Sequence, residues 1–347
     1  MKQLINYILL GFLLVFASCS TYESFTIDVL APAKYTIAPE ITSVVLVNNS
    51  IPYRDTTKNT VQVNGKKRTM QSVWQDDFAE IALQSLNQEL LLREFYDTVY
   101  YHSQTLKTDA SYPYRALNWL QVDSICNIYG AEGIISFEAN RYATTVKAEP
   151  QYDGGFYATM DVEGAILWRG YNNIDRTALY KEVQKDTISW QAYGSTLERT
   201  VRDLPDLKEA YVSLAEYQGM QAVNHTTPLW ESEQRGLYKS GNYQFLQAAE
   251  FVRKKQYGEA IKLWKYIYDN ANSKYKARSS YNLAVASEIL GDFESAKYWL
   301  KISNDIYISK EGNVNKEEFL RSQEYAKILR ARLETINKLK EQVGGFE

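Results

Sequence analysis

The sequence is poor in the residues and motifs that most enzyme sites require. It contains only 2 cysteines and 2 histidines, which are Cys19, Cys126, His102 and His225. Two histidines supply at most half of a common zinc site. The GxSxG, HExxH and CxxC signatures are also absent. We therefore predict that the protein has no catalytic residues, no metal site, no cofactor and no enzymatic activity.

The sequence also has no excess of positive charge. Its formal net charge is -3, and its one compact basic cluster is Lys66, Lys67 and Arg68, so no nucleic-acid partner is expected. A hydrophobic share of 45% and a charged share of 23% over 347 residues are typical of a globular protein with two or more domains. The 28 tyrosines and 7 tryptophans favour a binding role, because amphipathic aromatic side chains are enriched at contact surfaces.

No apolar run at the amino terminus is long enough to span a membrane. The run over residues 4–16 has 13 residues, whereas a spanning helix needs about 20. Lys2 precedes this run, and the small residues Ala17 and Ser18 follow it, directly before Cys19. A positive charge, a short apolar stretch and small residues form the layout of a secretory signal.

The end of this segment resembles a bacterial lipobox, with Phe16 in place of the usual aliphatic residue. The resemblance implies a signal peptide over residues 1–18, attachment of lipid to Cys19 and a tether over residues 19–24. The lipid bilayer is then a partner of the protein. The absence of aspartate at Ser20 favours the outer membrane, and the absence of an acidic export cluster favours its periplasmic face. An ordinary cleaved signal that carries a cysteine is the alternative.

The amino-terminal half alternates between strand and helix patterns. This order predicts a mixed α/β domain over residues 25–195, with helices packed on a partly parallel sheet that antiparallel hairpins extend. The Asn64-Gly65 pair predicts a hairpin over residues 60–69. A helix is predicted over residues 74–95. Further strands are predicted at 25–30, 41–47, 97–101, 133–138, 141–147, 156–171 and 179–190.

Cys126 lies on the apolar stripe of a second predicted helix. Val122, Ile125 and Tyr129 share its spacing, and Gly130 follows as a left-handed cap. No neighbouring motif marks either histidine as a base for the thiol. We therefore expect a buried, inert cysteine.

Neighbouring acidic residues do not form a convincing catalytic pair. The candidates are Asp76 with Asp77, Glu132 with Glu138, and Asp161 with Glu163. With 42 acidic residues in the chain, such pairs arise by chance. A hydrolase in the α/β half is therefore the least favoured function.

The carboxy-terminal half is predicted to be all helical, which gives an α+β fold overall. Residues 196–240 are expected to form connecting helices, including a short one over 230–239. Beyond them, a shift of 36 positions superimposes Ala248 on Ala284, Tyr257 on Phe293 and Ala260 on Ala296. The alternative is an unrelated pair of helical hairpins.

These residues resemble the tetratricopeptide repeat, with Lys255 where a turn glycine is expected and an offset slightly above the usual length. The resemblance implies a tetratricopeptide-like domain over residues 241–347 that ends in a capping helix. It also implies a concave groove for a peptide or protein. The binding residues assigned to this domain are Trp264, Tyr257, Tyr281 and Trp299.

The whole layout resembles a family of envelope lipoproteins of Gram-negative anaerobes that has no assigned activity. The residues that carry this resemblance lie at 29–33, 44–49, 228–230, 282–284 and 290–292. The leading hypothesis is a membrane-tethered adaptor for an envelope protein, and the second is a surface glycan-binding lipoprotein. The oligomeric state stays open.

Overall fold

The computed structural model describes residues 21–54, 59–70, 73–107, 114–309 and 316–343. Within them the fold is α+β, as predicted, with a strand-rich part followed by a run of helices. The chain forms two compact units. The sheet unit is Pro32–Leu229 with the described part of Leu339–Glu347. The helical unit is the described part of Met1–Ala31 with Trp230–Lys338.

The described residues form nine strands and nine α-helices. The strands are β1 Tyr22–Ala31, β2 Ser43–Asn48, β3 Thr60–Val63, β4 Lys66–Thr69, β5 Thr98–His102, β6 Gly133–Pro150, β7 Phe156–Asn172, β8 Thr177–Gly194 and β9 Leu229–Tyr238. The helices are α1 Phe78–Arg93, α2 Trp119–Tyr129, α3 Leu197–Arg202, α4 Leu207–Ala222, α5 Tyr243–Arg253, α6 Tyr257–Asn270, α7 Ser273–Ile289, α8 Phe293–Ser309 and α9 Lys316–Val343.

The sheet unit is built on a seven-stranded mixed sheet. Strand β2 lies between β5 and β6 and is parallel to both, while β7 and β8 extend the sheet in antiparallel hairpins. The valines of β2 are buried on both faces, as a central parallel strand requires. At the β3–β4 turn, Asn64 and Gly65 have φ of 48° and 77°, the positive values of the predicted hairpin. The partly parallel sheet is confirmed.

Strand β6 is one strand of 18 residues, where two were predicted. Its register with β7 shifts between Phe137 and Ala139, which places a β-bulge at Glu138. The first part of β6 pairs with β2 and the last part pairs with β3. Polar residues at the bulge interrupt the apolar alternation, and the sequence pattern therefore indicates two separate strands.

Helices cover both faces of this sheet. Helices α1 and α4 pack closely on one face, since a Cβ atom at Gly219 would overlap the carbonyl oxygen of Ala82. Helix α2 covers the other face, where Cys126 packs with Val45, Val47 and Ile134. Burial raises the pKa of the Cys126 thiol to about 11, so the predicted buried cysteine is confirmed.

The helical unit contains two helical hairpins, α5–α6 and α7–α8, followed by most of α9. A two-stranded sheet of β1 and β9 completes it. The helix predicted over residues 230–239 is therefore wrong, since this segment is strand β9. Its polar residues alternate along a strand whose partner lies about 200 positions earlier in the chain, and local patterns do not reveal such a partner. Strand β1 also starts at Tyr22, inside the predicted tether of residues 19–24.

Two turns of this unit use left-handed residues at equivalent positions. Gly291, between α7 and α8, has a φ of 78°, and Lys255, between α5 and α6, has a φ of 57°. The lysine thus occupies the backbone conformation for which the repeat pattern calls for glycine. Among the described residues, no helix combines the length and the apolar character needed to cross a membrane.

Candidate functional site

The predicted groove of the helical unit is filled by the chain itself along α7. Every residue from Ala277 to Glu288 on this helix is buried. The Asn282 side chain holds the backbone of β9, because its oxygen accepts from the Tyr238 amide at 2.8 Å and its nitrogen donates to the Tyr238 carbonyl at 2.7 Å. A side-chain amide that binds both polar groups of one residue fixes an extended chain in place. The expectation of an open groove is therefore corrected along this helix.

Two buried ion pairs join α7 to its neighbours. Arg235 of β9 donates to both oxygens of Glu288, at 2.6 and 2.9 Å, and Tyr325 of α9 donates to the same carboxylate at 2.8 Å. Burial opposes the charge of Arg235, but the hydrogen bonds and charge of Glu288 outweigh it and raise the pKa of the guanidinium. The guanidinium is therefore held in its charged form, and removal of its buried carboxylate partner would be costly.

The second pair is formed by Arg278 of α7 and Glu318 of α9 at 2.7 Å. Tyr307 of α8 donates to Glu318 at 3.0 Å. Burial acts to raise the pKa of Glu318, but the hydrogen bond from Arg278 outweighs it, and the pKa is lowered. These contacts tie the first turn of α9 to the first turns of α7.

Tyr22, the first residue of β1, is held by aromatic and polar contacts. Its hydroxyl lies 2.9 Å from that of Tyr281, its ring meets Tyr238 edge to face at 5.2 Å, and Arg321 lies over it at 4.7 Å. A Cβ atom at Gly236 would overlap the Tyr22 ring, so glycine is needed at that position of β9. The chain is thus fixed from its first described residues onward.

The four predicted binding residues fall in different environments. Trp264 and Tyr281 are buried to 1% and 2% exposure in the core of the helical unit. Tyr257 is half-buried and lines a cavity of about 150 Å³ with Phe25 and Arg253. Trp299 is half-buried on α8. The structure therefore does not bring the four residues together on one surface.

Trp299 belongs to a partly exposed group that we call the outer aromatic cluster, which consists of Tyr268, Tyr298 and Trp299. The ring of Trp299 meets those of Tyr268 and Tyr298 edge to face, each at 5.2 Å. Tyr298 is 60% exposed, and Lys276 lies 5.6 Å from the Tyr268 ring. Sequence patterns did not indicate Tyr268, because the repeat alignment does not single it out. The cluster presents apolar ring faces beside a positive charge.

Glu132 and Glu138, one of the acidic pairs considered in the sequence, do not form a shared site. Glu132 accepts from the amide and hydroxyl of Ser43, at 2.8 and 2.7 Å. Glu138 accepts instead from Asn49 at 2.8 Å and Tyr171 at 3.1 Å, at the carboxyl end of the parallel strands. Burial raises the pKa of Glu138 although these hydrogen bonds lower it. Glu138 therefore links the segment after β2, through Asn49, to β7, through Tyr171.

Two of the other acidic candidates, Asp76 and Asp161, have partners of their own. Asp76 pairs with Arg54 at 3.0 Å, and Asp161 accepts from Ser189 at 2.7 Å. Glu163 lines a cavity of about 470 Å³ with Asp186, Arg141 and Lys185. The lining of this cavity therefore carries two acidic and two basic side chains. Among the described residues, no group of three or more His, Cys, Asp or Glu side chains could hold a metal ion.

A sequence model of a domain of unknown function, DUF8603, matches residues 41–238, which is more than half of the chain. The chain belongs to the DUF8603 family. A second domain of unknown function, DUF6340, matches residues 246–331, which cover most of the helical hairpins. The expected layout of an α/β half and a helical half, in a family without an assigned activity, agrees with these matches. No curated protein matches the sequence.

Several solved structures resemble part of the chain, each at 10% identity. A PelC dodecamer from Paraburkholderia phytofirmans covers 58% of this chain and 97% of its own, with a TM-score of 0.20. A putative neuraminyllactose-binding hemagglutinin homolog from Helicobacter pylori covers 56% and 93%, with a TM-score of 0.26. The lipoprotein GNA1162 from Neisseria meningitidis covers 53% and 99%, with a TM-score of 0.20. These scores are low, and the function proposed below rests on residues of this chain.

Proposed function

We propose that the protein is a lipid-anchored scaffold of the cell envelope that binds another envelope protein without catalysing a reaction. The observation that carries this proposal is the outer aromatic cluster on helices α6 and α8. With the inner side of α7 filled by the chain itself, this cluster is an aromatic surface of the hairpins that a partner can reach. Exposed aromatic side chains at the centre of an interface contribute much of its binding energy.

The anchor in this proposal is lipid attached to Cys19. Cys19 lies outside the described residues, so the lipobox resemblance of the sequence supports this part. A lipoprotein anchor carries two or three acyl chains, which is enough for stable attachment. The features of Ser20–Glu23 in the sequence support the periplasmic face of the outer membrane.

The absence of catalysis is also part of the proposal. Two features of the described residues support it. Four of the six acidic candidates have separate structural partners, and the buried Cys126 thiol has a raised pKa that keeps it protonated. A nucleophile needs the opposite shift and a neighbouring base.

Photo-crosslinking in intact cells tests the binding surface. A crosslinking amino acid at Tyr298 should trap one specific envelope protein, and Trp299→Ala in the same chain should reduce the trapped product at least tenfold. The matched control is a crosslinker at Tyr114, which is similarly exposed but lies in the sheet unit. Equal capture from both positions, or capture that Trp299→Ala leaves unchanged, would overturn this surface.

Glycan binding is the second candidate function, and the same cluster favours it, because sugar rings stack on exposed aromatic faces. A glycan that binds there should change tryptophan fluorescence in the wild type and leave the Trp299→Phe variant unchanged. A broad glycan panel without any response in the wild type would remove this candidate.

A further inference from the structure

The chain leaves almost no spacer between Cys19 and the folded helical unit. The Lys239 amide at the end of β9 donates to the carbonyl of Thr21 at 3.1 Å. Two residues of fully extended chain span at most about 7 Å. A lipid on Cys19 therefore starts within about 7 Å of Thr21, and the protein cannot stand away from the bilayer on a flexible tether.

The contacts around Lys239 show which end of the helical unit lies beside Thr21. The carbonyl of the next residue, Ser240, accepts from Arg278 at 3.1 Å. A Cβ atom at Gly241 would meet the ring of Tyr275. Arg278 and Tyr275 both belong to the first turns of α7, so Thr21 lies at the amino end of that helix.

The first turns of α5 and α9 lie at the same end. Helix α5 begins at Tyr243, two residues after Gly241, and its Phe245 meets Tyr275 with ring centres 6.1 Å apart. The ion pair between Glu318 and Arg278 places the first turn of α9 beside α7. We call this part of the molecule, formed by the first turns of α5, α7 and α9, the Thr21 end.

Exposed apolar side chains and amines occur together at the Thr21 end. Tyr243 is 72% exposed, and Leu246 and Leu320 are exposed to 50% and 55%. Lys274 and Lys316 are exposed in the same first turns. Apolar side chains beside lysines suit the boundary between acyl chains and anionic headgroups. The apolar side chains can enter this boundary, and the lysine amines can pair with the phosphates of the headgroups.

We infer that, in the anchored protein, the Thr21 end faces the bilayer surface and contacts it, with Tyr243, Leu246 and Leu320 against the lipid. The inference rests on the proposed lipidation of Cys19. The lipid surface becomes a second contact of the scaffold, and it fixes the orientation of the helical unit. The opposite end of α7, at Leu290, then points away from the membrane, because a helix of 17 residues is about 25 Å long.

Fluorescence quenching on vesicles tests the orientation. Lipidated protein with Cys126→Ser carries one fluorophore, at either Tyr243→Cys or Leu290→Cys, two exposed positions at opposite ends of the unit. The vesicles contain phosphatidylethanolamine, phosphatidylglycerol and a lipid with a nitroxide headgroup. Quenching at residue 243 should be at least threefold stronger than at residue 290. A label at Leu320→Cys should behave like the one at 243, which guards against a local effect of a single substitution.

The outcomes separate this inference from the anchor itself. If the protein floats with the vesicles but the label at residue 290 is quenched as strongly as that at 243, the orientation is wrong and the anchor stands. If the wild-type protein fails to float with the vesicles, both the anchor and the orientation fall. A Cys19→Ala protein should show weak quenching at both positions.

Discussion

At the scale of single residues, His225 and Glu138 are two of the buried titratable groups of the sheet unit. The sequence said little about the role of either. No sequence motif marks His225 as a base, and in the structure it is buried beside Tyr35 and Tyr180. Glu138 could not be assigned a role from sequence, since Asn49 and Tyr171, its partners, lie 89 and 33 residues away in the chain. Long-range hydrogen bonds of this kind have no local signal.

His225 should make the stability of the protein depend on pH. Burial, opposed by the negative charge of Glu182, lowers the pKa of His225 to about 4. Between the unfolded value of about 6.5 and the folded one, the unfolded chain binds a proton that the folded chain does not. The free energy of unfolding should therefore fall by up to about 3 kcal/mol as pH drops from 6.5 to 4.

Urea unfolding of the wild type and of His225→Gln across this pH range checks the prediction. The variant should lack this part of the pH dependence, so the difference between the two proteins should shrink as pH falls. A difference that stays constant from pH 7 to pH 4 would contradict the lowered pKa.

Glu138 should give the stability of the protein a pH dependence opposite to that of His225. Burial raises its pKa, and a carboxyl group with a raised pKa stabilises the folded state at low pH and loses that contribution as pH rises through the folded value. Relative to the wild type, Glu138→Gln should therefore become more stable as pH increases from 4 to 8. Denaturant unfolding at both pH values measures this change, and a relative stability that decreases over the range would refute it.

At the scale of elements, local patterns predicted most helices and strands of the sheet unit, and they failed where pairing is distant. The Asn64-Gly65 hairpin and the α2 cap at Gly130 follow from residues that are adjacent in sequence. The helix prediction for the segment that forms β9 was wrong because the partner strand β1 and the Asn282 side chain that binds β9 are distant in the sequence. The repeat alignment did locate the two turns, including the position occupied by Lys255.

Lys255→Gly should stabilise the α5–α6 turn. A non-glycine residue in the left-handed region costs about 1 kcal/mol, and glycine removes that cost. The free energy of unfolding should therefore rise by about 0.5–1 kcal/mol. Gly291→Lys at the equivalent turn is the matched control and should lower it by a similar amount. A loss of stability in Lys255→Gly would show that the turn does not need glycine.

Asn282→Ala should loosen strand β9 from α7. The substitution leaves the buried amide and carbonyl of Tyr238 without this partner, at a cost of about 1–3 kcal/mol. Hydrogen exchange at the Tyr238 amide should become at least tenfold faster. Asn270→Ala, at an exposed position on α6, should leave this rate unchanged. Slow exchange in both variants would contradict the role of Asn282 in holding β9.

At the scale of the whole molecule, the sequence predicted the order of an α/β part and a helical part, but not the composition of the two units. Strand β1 was assigned to the α/β half, whereas it belongs to the helical unit and pairs with β9. Its pairing places Thr21 at one end of the hairpins. In the proposed function, the membrane anchor and the binding surface therefore belong to one unit, and the proposed orientation on the bilayer depends on the modification of Cys19.

Lipid labelling of Cys19 is the measurement that tests this account most directly. Cells that express the protein are grown with labelled palmitate, and the purified wild type is compared with Cys19→Ala, with Cys126→Ser as the matched control. The label should enter the wild type and Cys126→Ser and be absent from Cys19→Ala. Equal labelling of wild type and Cys19→Ala, or no labelling of either, would contradict a scaffold anchored through Cys19.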